Sequence, residues 1–200
     1  MDKNIKDILK REILRQEQEH NFIASENFAS ESVKLFCGSD FTNKYAEGYP
    51  NKRYYNGCKH IDELESYGID LVTKLYDCNF ANIQPHCGAN ANLAIFKAFL
   101  KPDDIILGMD LSAGGHLSHG SPANISGKWF NNNFYGVNDE GYLDYDEIQR
   151  LAEELQPKMI IAGASAYPRQ IDFKRFREIC DSVEAYLLVD MAHYSGLIAA

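Results

Sequence analysis

Two apolar runs joined by one amphipathic helix constrain this chain more than any other feature in it. KMIIAG (158–163) and AYLLVD (185–190) are continuous apolar segments of strand length. Between them, after Asp172, the residues Phe173, Phe176, Ile179, Cys180 and Val183 recur at helical spacing. Strand, helix, strand in that order is a βαβ crossover, and continuous rather than alternating hydrophobicity means strands covered on both faces. IILGM (105–109) is a third run of this kind. The reading is an α/β fold built on a largely parallel sheet.

Around this nucleus the chain is less regular. Residues 2–20 predict a polar helix with a thin stripe at Ile5, Ile8, Leu9 and Ile13, too narrow for a core and better suited to a packing arm or dimer surface. Residues 21–58 are dense in Gly, Asn, Tyr and Ser and read as a long loop, a length that is usually disordered or functional. Ile61, Leu64, Gly68, Leu71, Val72 and Leu75 then mark an amphipathic helix with a small residue at one contact. ANIQ (81–84) predicts a short strand, HCGANAN a glycine turn, and Ala89 to Leu100 a helix. No repeat, low-complexity tract or Pro-rich linker interrupts the chain. The division is therefore a helical arm, residues 1–22, and one continuous domain, residues 23–200.

Composition narrows the class of protein. With 45% hydrophobic and 24% charged residues the chain has enough apolar surface for a core, which excludes disorder as its main state. A net charge of -9, with Lys mixed among Asp and Glu, argues against nucleic acid as a partner. Cys37, Cys58, Cys78, Cys87 and Cys180 are scattered without a C-x-x-C pair, which is neither a disulfide framework nor a zinc pattern and suits a reducing cytoplasm. The first twenty residues have no apolar signal core, and no window reaches the ~18 apolar residues of a membrane span.

Open α/β sheets bind ligands at the carboxyl ends of their strands. Four such ends carry polar or glycine-rich sequence: HCGANAN, DLSAGGHLSHG, SAYP, and Asp190 to His193. Their convergence predicts one site. Cys87, Gly88 and Ala89 open a helix whose free N–H groups could hold a phosphate, although Gly before a helix is also ordinary punctuation and the turn is neither a P-loop nor G-x-G-x-x-G. Gly114, Gly115 and His116 let backbone pass close to a ligand beside an imidazole. His119 reads as a hydrogen-bonded loop residue, and Ser165 as a turn hydroxyl. No G-x-S-x-G elbow is present, and the H-x-x-H pair His116 and His119 lacks an evident third ligand, so no metal is expected. Asp190, where an apolar strand runs out, needs something positive opposite it. A phosphate cradle at one strand end and a carboxylate at another suit pyridoxal phosphate, whose pyridinium nitrogen takes an Asp partner.

IASEN (23–27), TNKYAEGYPNKRYYNGC (42–58), QPHCGANAN (84–92), GGHLSHGSPANISGK (114–128), PKMIIAGASAY (157–167) and VDMAHYSGLIAA (189–200) together resemble serine hydroxymethyltransferases, in order and from Ile23 to the last residue. The resemblance implies an aspartate-aminotransferase-like (fold type I) pyridoxal-phosphate enzyme, here the N-terminal part of the large domain with its helical arm. Such an enzyme converts serine and tetrahydrofolate reversibly to glycine and methylenetetrahydrofolate as a homodimer or homotetramer.

The resemblance also implies roles. Asp190 would pair with the pyridinium nitrogen, His116 would stack on the ring, and Ser165 and His193 would lie near the phenolic oxygen. Gly88 and Ala89 would give backbone to the phosphate, joined by Tyr45 from a neighbouring subunit. Ser25 would help hold the substrate carboxylate, and Glu47 would manage the proton on the serine hydroxyl or folate. Tyr55 would sit by the α-carbon, and Tyr54 and Leu117 would line the folate site. Without the resemblance, Glu47 reads as a solvated loop carboxylate.

Two departures stand out. Cys87 and Ala89 occupy positions where many relatives carry serine, which leaves the phosphate to backbone donors. The lysine that binds the cofactor and the arginine that grips the substrate carboxylate are expected beyond Ala200, so the 200 residues alone are expected to be catalytically incomplete. The competing readings are a noncatalytic fragment that associates with a full-length partner, and another enzyme of the same fold such as threonine aldolase.

Overall fold

The structure, a computed structural model, describes residues 2–200. The arm is α1 (Lys3–Gln18), started by Asp2, whose carboxylate accepts the Asn4 N–H at 2.8 Å. None of its residues is buried, so Ile5, Ile8, Leu9 and Ile13 form an exposed stripe. Met1, the first residue of the expected arm, lies outside the described residues.

The segment expected to be loop throughout is more structured than that. It contains α2 (Glu31–Cys37), capped by the Ser30 hydroxyl, a 3-10 turn at Asp40–Asn43, and a hairpin of β1 (Gly48–Tyr49) and β2 (Lys52–Arg53). Seven residues of helix are too few to display a period, which is why composition masks it. The next helix is α3 (Lys59–Leu75), where the sequence places it. Its Gly68 lies against Ile83: a Cβ there would stand 2.6 Å from the Ile83 Cδ1. Arg53 fastens the hairpin to α3. Its guanidinium donates to Asp62 at 2.7 Å and Glu65 at 2.5 Å, and to the carbonyls of Ala46 and Gly48 at 2.8 and 2.9 Å.

ANIQ is not a strand. The Asn82 side chain accepts the Gln84 N–H at 2.9 Å, while the Gln84 amide donates to the Gly48 carbonyl and to Glu65. Local side-chain bonds of this kind take backbone groups that a ladder would need.

From here the chain builds its sheet. The order is α4 (Gly88–Phe99), β3 (Ile105–Met109), α5 (Ile125–Trp129), β4 (Asn131–Tyr135), α6 (Tyr145–Leu155), β5 (Met159–Gly163), α7 (Phe173–Ser182), β6 (Tyr186–Asp190) and α8 (Ser195–Ala199). The four strands lie in the order β4-β3-β5-β6, and every pairing is parallel. β4 begins with three asparagines, poor strand formers, and its place at the sheet edge next to β3 decides its conformation.

Both faces of the sheet are covered, as the continuous apolar runs require. Leu107, Met109, Ile160 and Ala162 face α6 and α7, where Ile148, Ala152, Phe176, Ile179 and Cys180 are buried. Ile106, Met159 and Ile161, one residue out of step, face Phe96 and Leu100 of α4 and its end. Each fully buried side chain of this size contributes about 1.5–3 kcal/mol. Among the described residues no helix is long and apolar enough to cross a membrane.

Candidate active site

The chain enters the sheet at β3, steps outward to β4, then returns to the other side of β3 with β5 and β6. The point where strand order reverses is therefore between β3 and β5, and the loops leaving these two strands part there. They are held together by Gly114, whose carbonyl accepts the N–H groups of Ser165 and Ala166 at 2.9 and 3.0 Å. Gly114 has φ 111°, and a Cβ on it would stand 3.0 Å from backbone atoms of Ala166 and Tyr167. At Gly115 a Cβ would stand 2.1 Å from the Met109 carbonyl oxygen. Gly114 lets the two loops touch, and Gly115 lets the first of them fold back over the end of β3.

A cavity of about 650 Å³ opens at this place. Ser25, Gly88, Ala89, His116, Ser165, Asp190 and His193 all line it, so seven of the residues given binding or catalytic roles from the sequence meet at one site. Of the four expected strand ends, three are strand ends and the fourth is the start of α4. The α4 N-terminus at Cys87 has no side-chain cap, so its first N–H groups and the positive end of the helix dipole face the cavity uncompensated.

Asp190 is the electrostatic centre of the cavity. Its Oδ2 accepts from the Asn92 amide at 2.9 Å and from His119 Nε2 at 2.8 Å, and its Oδ1 accepts the Ala192 N–H at 3.2 Å. Burial opposes its charge, but the hydrogen bonds from His119 and Asn92 outweigh that and hold the carboxyl well below the usual carboxylate range. Gly163 makes the approach from β5 possible: a Cβ on it would stand 2.2 Å from the Asp190 carbonyl oxygen. His119, expected as a hydrogen-bonded loop residue, is hydrogen-bonded, but it is 1% exposed and its partner is Asp190.

Asn92 is a site residue that the sequence reading misses. Its signal is present: it shares the α4 stripe of Phe96 and Leu100, and a polar residue on an apolar helix stripe needs a buried partner.

The family model described as serine hydroxymethyltransferase matches residues 1–200. The chain belongs to the serine hydroxymethyltransferase family. It is 57% identical over 200 residues to a serine hydroxymethyltransferase of Wolbachia sp. subsp. Drosophila simulans (strain wRi), covering 100% of this chain and 47% of that protein. It is 58% identical over 200 residues to one from Rickettsia typhi (strain ATCC VR-144 / Wilmington), covering 100% of this chain and 48% of that protein. The chain thus spans about half the length of the curated relatives it matches.

Serine hydroxymethyltransferases are pyridoxal-phosphate-dependent transferases, and the α/β fold with its parallel sheet is the kind that family implies. The cavity fits that cofactor. It offers a fixed anion for a ring cation, an uncapped helix N-terminus for a phosphate, and at Ser165 a hydroxyl oxygen that is buried without a partner. Among the described residues no lysine lines it.

The remaining serine hydroxymethyltransferase-like residues lie elsewhere. Tyr45, Glu47, Tyr54, Tyr55 and Leu117 do not line this cavity, and all five are exposed. Four of them share the hairpin segment that Arg53 fastens to α3. There the Tyr45 and Tyr55 rings meet edge to face at 5.7 Å, and the Tyr54 N–H donates to the Glu47 carbonyl at 3.0 Å.

Proposed function

We propose that this chain carries the cofactor-binding part of a serine hydroxymethyltransferase acting on serine, glycine and tetrahydrofolate. The observation that carries the reading is Asp190, an anion fixed at the end of β6 across a cavity from an uncapped helix start. When bound there, pyridoxal 5'-phosphate supplies the electron sink that breaking the serine Cα–Cβ bond requires. The residues of the chain do the rest.

Asp190 pairs with the ring nitrogen and keeps it protonated, because a carboxylate held this firmly as an anion favours a cation opposite it. His116 stacks on the ring, and Ser165 and His193 sit by the phenolic oxygen. The N–H groups of Gly88 and Ala89 hold the phosphate, with the helix dipole behind them; Cys87 and Ala89 leave this task to backbone donors. Ser25 helps hold the substrate carboxylate.

Glu47 moves the proton at the serine hydroxyl or folate, Tyr55 stands by the α-carbon, and Tyr54 and Leu117 line the folate site. Tyr45 reaches the phosphate of a neighbouring subunit. Because Arg53 makes the hairpin one rigid unit, Glu47, Tyr54 and Tyr55 travel with Tyr45 into that neighbour's cavity. This favours a homodimer or homotetramer, with α1 (within the arm, residues 1–22) as a further packing surface on the domain of residues 23–200; the free cysteines suit the cytoplasm. With no lysine at the cavity among the described residues, residues 1–200 by themselves hold the cofactor without covalent attachment and do not turn over serine.

The test is conversion of serine to glycine by the protein at the full length of its relatives, with and without tetrahydrofolate. Folate-dependent turnover that Glu47→Gln removes, while cofactor uptake persists, is the expected result. Turnover indifferent to folate would replace this reading with an aldolase of the same fold.

A further inference from the structure

We propose that Asn92 and Ser118 are positioning residues that lock His116 as the neutral imidazole with its proton on Nε2. The inference rests on the reading that His116 faces the cofactor ring, and it starts from the direction of each hydrogen bond.

The Ser118 backbone N–H lies 3.1 Å from His116 Nδ1. A backbone N–H only donates, so Nδ1 is bare and the ring proton is on Nε2. The Ser118 hydroxyl lies 2.7 Å from the same nitrogen and must therefore donate to it as well. That hydroxyl in turn accepts from the Asn92 amide at 2.8 Å, and the second Asn92 proton goes to Asp190 at 2.9 Å. Turning the Asn92 amide over would aim its carbonyl at the Asp190 carboxylate, two acceptors face to face, so the direction is determined. Asn92 and Ser118 are 6% and 3% exposed, and solvent does not compete for these bonds.

The chain of donors runs one way, from Asn92 through Ser118 to His116. A proton arriving at Nδ1 would face the Ser118 N–H, which cannot accept it, and would force the Ser118 hydroxyl to turn from donor to acceptor. The groups facing His116 divide: His119, at 5.5 Å between ring centroids, and His193 disfavour a cation at His116, whereas Asp190 favours one. Glu26 and Cys87 stand on the same cavity wall. Burial is the largest influence and, with His119 and His193, holds His116 below its ordinary value. The same Asn92 that points a proton at Asp190 thus supports the neutral form of the neighbouring ring, so that no imidazolium at His116 competes with the cofactor ring for Asp190.

The experiment is 15N-histidine labelling of the full chain without cofactor, with the ring nitrogens read by two-bond proton correlation and His116 assigned from His116→Gln. The expected result is an unprotonated Nδ1 and protonated Nε2 at His116 at neutral pH, with a titration below that of an ordinary histidine. Ser118→Ala and Asn92→Ala each raise the His116 titration by about one pH unit, the loss of roughly one hydrogen bond to the neutral form. Ser118→Thr, which keeps the hydroxyl, restores it. A protonated Nδ1 in the unsubstituted protein overturns the proposal, and so does an unchanged titration in both alanine variants. Cofactor uptake by absorbance separates the two claims: a locked His116 without uptake leaves the lock standing and removes the cofactor reading, and uptake with Nδ1 protonated does the reverse.

Discussion

Asp190→Asn tests the centre of the site without changing its shape. Two donors, Asn92 and His119, converge on Oδ2, and the weaker Ala192 N–H reaches Oδ1. An asparagine satisfies both strong donors only with its carbonyl toward them, which turns its NH2 group against the Ala192 N–H. Bonds to a charged acceptor are worth about 1.5–3 kcal/mol each, against about 0.5–1.5 for neutral ones, so the two bonds together lose about 2 kcal/mol. A neutral amide is cheaper to bury, which offsets part of this. The net expectation is a loss of about 1–2 kcal/mol, a factor of roughly 5–30 in the folded-to-unfolded ratio.

Urea unfolding followed by far-ultraviolet circular dichroism measures this difference, and its pH dependence carries a sign. The Asp190 carboxyl lies below its ordinary value because the bonds from His119 and Asn92 outweigh the opposing burial. A depressed folded value contributes stability that is present above the unfolded value of about 3.9 and lost as pH falls toward the folded one. The gap between the two proteins is therefore complete above about pH 5 and narrows in acid. Equal stability at neutral pH, or a gap that widens in acid, would refute the claim that Asp190 is a hydrogen-bonded anion.

Two further substitutions probe what supports the site. Phe176→Ala removes a fully buried ring that packs against Tyr135 and Tyr145 at 5.6 Å, and should cost about 3–5 kcal/mol in the same unfolding assay. Gly163→Ala forces a side chain onto φ 145° with its Cβ 2.2 Å from the Asp190 carbonyl oxygen, and should cost at least about 1–3 kcal/mol of backbone strain while weakening cofactor uptake. Unchanged uptake in that variant would mean that the β5–β6 contact does not set the Asp190 position.

The sheet is readable because its physics is local. Apolar runs at 105–109, 158–163 and 185–190 are of strand length and too short for buried helices, and the helix after Asp172 joins two of them as a crossover, so β3, β5, α7 and β6 are read from period and length. Asp190 is readable for the same reason, as a charge stranded at the end of an apolar strand. β4 is not, since its asparagines adopt a strand only because β3 offers them an edge, and ANIQ fails because the Asn82 side chain takes the Gln84 N–H that a ladder would have used. Nor does spacing reveal that Asn92 and His119, 98 and 71 positions from Asp190, share one of its oxygen atoms. Which residue of each element comes to face the cavity is settled by how α4 and the β3 loop pack on the sheet, because hydrogen-bond partners at such separations exist only once burial has brought their elements together.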